Sequence, residues 1–276
     1  MGTKELEKKS SGGGLVAAWK QNPLVSTGLV LILMIVVQTA IMIYNFGEGS
    51  VGELLLSLLT NWLNILRNNA PVGIIALGMT FVIISGGIDL SVGSTLVAVG
   101  AMVMMVVDGS ATGLLAGMGI TGVPAYIIAI AVGLVFGALL GWLNGVLIAH
   151  GKLPPFIATL GTMQICRSLD YVISNANTAS KFPEVYSVLG KGKIGGFFPV
   201  YILFIFGMFA IFIWIMGKTK FGRFLYAIGS NAESARLTGI KVKFNIMMAY
   251  VISGLMCGLA AWIMTSRLMA CDATYG

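Results

Sequence analysis

Apolar residues fall in long blocks separated by short polar stretches. No Asp, Glu, Lys or Arg occurs from Gln21 to Gly47, from Asn68 to Ile88, from Leu90 to Val107, from Gly109 to Gly151, from Ile194 to Gly217 or from Phe244 to Ser266. Continuous apolar blocks of this length read as bilayer-crossing helices, whereas spanning strands would be about ten residues of alternating polarity. Seven passages can be drawn, at about residues 23–46, 70–88, 90–107, 125–149, 155–173, 198–217 and 246–267. The predicted fold is an all-α, polytopic transmembrane helical bundle. Residues 48–69 follow another pattern: Leu54, Leu55, Leu58, Leu59, Trp62, Leu63 and Leu66 recur at helical spacing, opposite Glu53, Asn61, Asn64 and Arg67. That predicts an amphipathic helix lying in the outer interface.

Polar interruptions inside the apolar blocks carry the chemistry. Ser85-Gly86-Gly87-Ile88-Asp89-Leu90-Ser91 divides the run from Gly73 to Val107. Paired glycines break a helix, and Asp89 or Ser91 can cap the next one. A carboxyl group at membrane depth requires a partner or a wet cavity, and broken helices are tolerated there only in protein or beside water. The stretch is either a broken helix on a solute pathway or a turn between two full spans. Asn144, Thr159, Thr162 and Gln164 are neutral hydrogen-bonding groups within later spans. They suit the hydroxyls of a sugar or polyol, and equally suit bonds between helices. Gly133, Gly137, Gly141 and Gly145 repeat every four residues and Gly254 and Gly258 repeat the theme, which predicts close helix–helix packing.

Composition excludes several classes. Of the 276 residues 57% are hydrophobic and 10% charged, against about a quarter charged in a soluble domain. The net charge of +7 is dispersed over short loops, which fits basic inner loops and not a nucleic-acid surface. Three cysteines without a CxxC pair and a single His give no metal site, and no motif for a catalytic residue or a cofactor is present. Basic residues place the N-terminal tail, residues 1–22, in the cytoplasm, and the loop 218–245, with Lys218, Lys220, Arg223, Arg236, Lys241 and Lys243, on the same side. The loop 174–197, with Lys181, Lys191 and Lys193, then falls outside against its charge. In the inner loop Ala232 to Leu237 is helix-forming, with Ser230 or Asn231 as cap and Gly239 as stop.

Residues 76–94, ALGMTFVIISGGIDLSVGS, the WLNG and PPFIATLG of residues 141–161, and FGRFLYAIGSNAESARLTGI within residues 219–240 resemble, in order, the permease subunits of ribose/galactoside/xylose-type sugar ABC transporters. The resemblance implies a permease domain over 23–276 in a bacterial inner membrane. Its implied partners are cytoplasmic ATPase subunits, an extracytoplasmic sugar-binding protein, a second permease copy and membrane lipid. The chain itself would hydrolyse nothing. Asp89, Ser91, Asn144, Thr159 and Thr162 become expected pathway residues, and Gly229, Asn231, Glu233, Arg236 and Gly239 expected ATPase-coupling residues. Gly229 and Gly239 are expected at backbone turns. Two features depart from the family pattern. Arg167-Ser168-Leu169 stands where Arg-Gly-Leu is usual, and after Arg267 the family continues through further spans, so roughly the last fifth of a permease is expected beyond Gly276. Two alternatives stay open: a relative carrying another small solute (a branched-chain amino acid, a nucleoside or a furanosyl signal molecule), or an ion-coupled transporter that titrates Asp89.

Overall fold

The structure, a computed structural model, describes residues 23–47, 50–108, 114–174, 184–195, 198–271 and 275. The N-terminal tail and Lys181 lie outside these residues. The chain forms two compact units, Met1–Asn64 and Ile65–Gly276.

In the first unit, α1 (Pro23–Asn45) contains no charged residue. Its large side chains from Val30 to Val37 are all exposed, so it is apolar on every side and suited to lipid. The helix α2 (Val51–Ile84) begins in this unit and runs into the second. Ser50 and Glu53 open it with a reciprocal cap, Glu53 accepting from the Ser50 N–H and Ser50 from the Glu53 N–H. The separate interfacial helix expected over 48–69 is therefore corrected. It is the first part of a continuous 34-residue helix. The change from amphipathic to apolar pattern at residue 70 reflects a change of surroundings and not a chain break, and Pro71 is accommodated within the helix.

The second unit is built around α3 (Val92–Val107), a 16-residue helix with 12 buried residues. Around it pack α4 (Val123–Ala149), α5 (Pro155–Ser174) and, after two connecting segments, α10 (Val242–Leu268). The first of these segments contains α6 (Val188–Lys191) and a two-residue antiparallel pair, β1 (Lys193–Ile194) with β2 (Phe198–Pro199). It is pinned to helix ends. Ser266 Oγ donates to the Tyr186 carbonyl at 2.5 Å and accepts from the Gly190 N–H at 3.0 Å, and Arg67 Nη2 donates to the Gly190 carbonyl at 2.7 Å. Then α7 (Val200–Lys218) leads into α8 (Lys220–Ser230) and α9 (Ala232–Leu237).

The tightest packing joins α4 and α10. A Cβ at Gly137 would run into the Gly254 carbonyl, one at Gly141 into the Tyr250 carbonyl, and one at Gly254 into the Gly137 carbonyl. At Gly145 it would lie 2.8 Å from the Met247 carbonyl, and at Gly133 2.6 Å from the Val103 side chain of α3. The four-residue spacing thus aligns bare backbone with bare backbone, and dispersion acts at the shortest possible range. A Gly141→Val substitution is expected to lower the melting temperature of the detergent-solubilised protein, because overpacking costs about 1–3 kcal/mol. Gly207→Ala, where nothing lies within 4 Å, is the matched control, and equal melting of both variants would refute the packing role.

Candidate functional site

The break in the second unit is built by a local motif. The Gly87 N–H donates to the Val82 carbonyl at 2.9 Å and the Gly86 N–H to the Ile83 carbonyl at 3.0 Å, with Gly86 at φ +83°. This is a Schellman C-cap, and the left-handed position requires glycine. Asp89 then folds the chain into α3: Asp89 Oδ1 accepts from the Ser91 N–H at 3.0 Å and from Ser91 Oγ at 2.6 Å. Ser91 occupies the N-cap position but makes no side-chain cap bond, so of the two capping residues that the sequence offers, Asp89 and Ser91, it is not Ser91 that caps. Its hydroxyl is taken by the carboxylate.

From Asp89 a hydrogen-bond chain crosses the unit. Asn144 Nδ2 of α4 donates to Ser91 Oγ at 2.9 Å, and Thr162 Oγ1 of α5 donates to Asn144 Oδ1 at 2.5 Å. From α10, Ser253 Oγ donates to Asp89 Oδ2 at 3.1 Å, and the Tyr250 hydroxyl donates to the Ile88 carbonyl at 3.2 Å. Asp89 is 3% exposed and Ser91, Asn144, Thr162 and Ser253 each 1%. Ser253 lies eleven residues after Val242, the start of α10, about 16 Å along at 1.5 Å per residue, so the chain of bonds sits well inside the bundle. Thr159 is fully buried and bonds back to the Pro155 carbonyl of its own helix at 2.8 Å. The structure therefore brings together Asp89, Ser91, Asn144 and Thr162 and leaves Thr159 beside them without a shared bond.

The sequence reading missed Ser253 and Tyr250. A phenol within an apolar run is a usable signal, since a buried Tyr hydroxyl finds a partner. Ser253, next to Gly254, reads only as one more small packing residue.

The segment between α7 and α10 is more helical than expected. The sequence reading placed a helix at 232–237, and that is α9, capped by Asn231, whose Oδ1 accepts from the Ser234 N–H at 2.8 Å. It ends in a second Schellman motif with Gly239 at φ +86°. The preceding helix α8 was not anticipated. It buries Gly222, Leu225 and Ile228 and exposes Arg223 and Tyr226. The expected turn at Gly229 is corrected: this glycine is helical, and it is needed because a Cβ there would run into the Ile84 carbonyl, the last residue of α2. Thus α8 rests on the start of the break. On α9, Glu233 and Arg236 form a bidentate pair, Arg236 Nε to Glu233 Oε2 at 3.0 Å and Nη2 to Oε1 at 2.5 Å. Hydrogen bonding to Arg236 holds the Glu233 carboxyl below the usual carboxylate range. Leu237 is 75% exposed beside this pair.

Residues 61–274 match the family described as "Branched-chain amino acid transport system / permease component". The chain belongs to that family. Among curated relatives, a ribose import permease protein of Bacillus subtilis (strain 168) is 42% identical over 218 residues, 78% of this chain and 63% of that protein. A probable ABC transporter permease protein of Sinorhizobium fredii is 32% identical over 263 residues, 95% of this chain and 71% of the relative. A D-allose transport system permease protein of Escherichia coli (strain K12) is 34% identical over 239 residues, 86% and 68% of the two chains. The chain spans just under two thirds of the length of the ribose import permease. No solved structure matches it. Five helices among the described residues are long and apolar enough to cross a membrane, so this family member is a multi-pass membrane protein. The three cysteines are free and buried, and no metal-binding cluster occurs among the described residues.

Proposed function

We propose that this chain is the membrane-spanning subunit of an ATP-binding-cassette importer for a monosaccharide, in a bacterial inner membrane with its N-terminal tail in the cytoplasm. ATP hydrolysis belongs to separate cytoplasmic subunits, an extracytoplasmic binding protein delivers the sugar, and a second copy of the chain completes the passage. The permease domain extends over 23–276, and residues 218–245 form its coupling segment. The observation that carries this reading is the seating of Gly229 on the Ile84 carbonyl. A partner pushing on the exposed α9 would act through α8 directly on the backbone where the Asp89 break begins. Rigid, capped helices transmit such a displacement, whereas an uncapped loop would absorb it. In this reading Asp89, Ser91, Asn144, Thr159 and Thr162 shape the gate of the sugar path from within the bundle. The relatives named for ribose and D-allose supply the substrate class.

Uptake of a labelled pentose into vesicles holding the assembled transporter tests this. It is expected to require the binding protein and ATP and to stop with vanadate. Uptake driven by a proton gradient without ATP, or confined to branched-chain amino acids, would replace the reading. Arg236→Glu is expected to lower ATPase association at least tenfold while leaving insertion intact, since it sets two carboxylates side by side on α9. Unchanged association and uptake would remove α9 from the interface.

A further inference from the structure

The helix α5 is unlike its neighbours. Six helices in the described residues have eighteen residues or more, and α5 is the one that is not apolar enough to be counted as a membrane span. Its polar groups divide between two faces. Thr159, Thr162 and Asp170 point into the bundle with Cys166. On the opposite face Gly161, Gln164 and Ser168 are exposed, with Arg167 and Tyr171 exposed on one flank. Gln164 and Ser168, with Ile165, Leu169 and Val172, border a shallow open groove of about 330 Å³. Ser168 Oγ is satisfied by the Gln164 carbonyl at 3.0 Å, but the Gln164 carboxamide makes no hydrogen bond among the described residues.

This face runs along the middle of a helix whose buried side carries the Thr162–Asn144 bond, so it lies at membrane depth. A carboxamide and a guanidinium cannot be left against lipid tails, where nothing satisfies them. The exposed side of α5 also carries Ile157, Ile165 and Val172, so its polar groups form a stripe between apolar ones, whereas the exposed face of α4 offers only apolar groups such as Ile127, Ile128, Val135, Leu139 and Trp142, which suits lipid. We infer that the Gly161–Gln164–Ser168 face of α5 borders a water-filled passage, and that the Gln164 carboxamide hydrogen-bonds a neutral polyhydroxylated solute within it. A primary amide both donates and accepts, which matches a hydroxyl group of either polarity. Gly161 has nothing within 4 Å of a built Cβ and leaves space for a ring beside Gln164. The solute class rests on the sugar-importer reading; the water-lined face does not.

The test is single-cysteine labelling in the assembled transporter, made from the full-length chain with Cys166, Cys257 and Cys271 replaced by Ala. Gln164→Cys and Ser168→Cys are expected to react with a charged, membrane-impermeant methanethiosulfonate. Ala158→Cys on the buried face and Val135→Cys on the lipid face are expected not to react. Resistance of both α5 sites in the nucleotide-free, ATP-bound and vanadate-trapped forms would overturn the passage, whatever the transporter carries. Separately, Gln164→Leu is expected to raise the KM for pentose uptake about tenfold, the worth of one hydrogen bond, with Gln164→Asn intermediate and expression unchanged. A KM within about twofold of wild type would overturn the solute contact. If both α5 sites label but only a non-sugar solute is transported, the sugar reading falls and the passage stands.

Discussion

Asp89→Ala is expected to abolish uptake while the chain still inserts in the membrane. The carboxylate accepts three hydrogen bonds, from the Ser91 N–H, the Ser91 hydroxyl and the Ser253 hydroxyl. Each donor left buried without an acceptor costs about 1–3 kcal/mol. The loss falls where α3 begins and where α10 touches it, so the break loses its shape as well as its energy. The effect also spreads, because Ser91 is the acceptor for Asn144 and Asn144 for Thr162. Asp89→Asn keeps one oxygen for Ser91 and is expected to preserve the fold with reduced uptake. Thermal melting and uptake, measured on Asp89→Ala, Ser253→Ala and the double variant, give the coupling directly. Neighbours in one network deviate from additivity by about 0.5–3 kcal/mol. Strict additivity with wild-type uptake in Asp89→Ala would reduce the break to a passive turn.

Gly229→Val is expected to have the next largest effect and a different signature. The added side chain cannot enter without displacing α8 from the Ile84 carbonyl. The exposed face of α9 is untouched, so ATPase subunits are expected to bind while uptake falls at least tenfold and ATP hydrolysis continues without transport. Gly239→Ala tests the other glycine of the segment. Its cost is the left-handed backbone at φ +86°, about 1–2 kcal/mol for a residue with a Cβ, and it is local to the end of α9. Normal coupled uptake in Gly229→Val would show that the contact transmits nothing.

Helices α1, α4, α7 and α10 were legible because charge is absent from each for nearly its full length, the pattern that a bilayer-crossing helix favours. The helix α8 was not legible, since Lys220 and Arg223 interrupt its apolar positions within three turns and make it resemble a topology-setting loop. The boundary drawn at residue 70 failed because a polarity change is not a helix stop; the real stop, Gly86-Gly87, was legible from backbone chemistry. At the site, Asp89, Ser91, Asn144 and Thr162 stood out as polar groups in apolar surroundings. Their connection did not, because Ser253 lies 164 positions from Asp89 and nothing local to either residue records the pairing. Gly229 was noticed for the wrong reason: its requirement comes from a carbonyl more than a hundred residues earlier in the chain.

The order along the chain of the residues bonded around Asp89 has a consequence for biosynthesis. Asp89 emerges from the ribosome first, Asn144 and Thr162 follow, and Ser253 comes last. At about 5–20 residues per second, the second carboxylate oxygen waits roughly ten to thirty seconds for its donor. By the end of that interval α3, α4 and α5 have been made, and the carboxylate is still only half satisfied. The nascent bundle must therefore keep that corner hydrated, or shielded by the insertion machinery, until α10 arrives to close it.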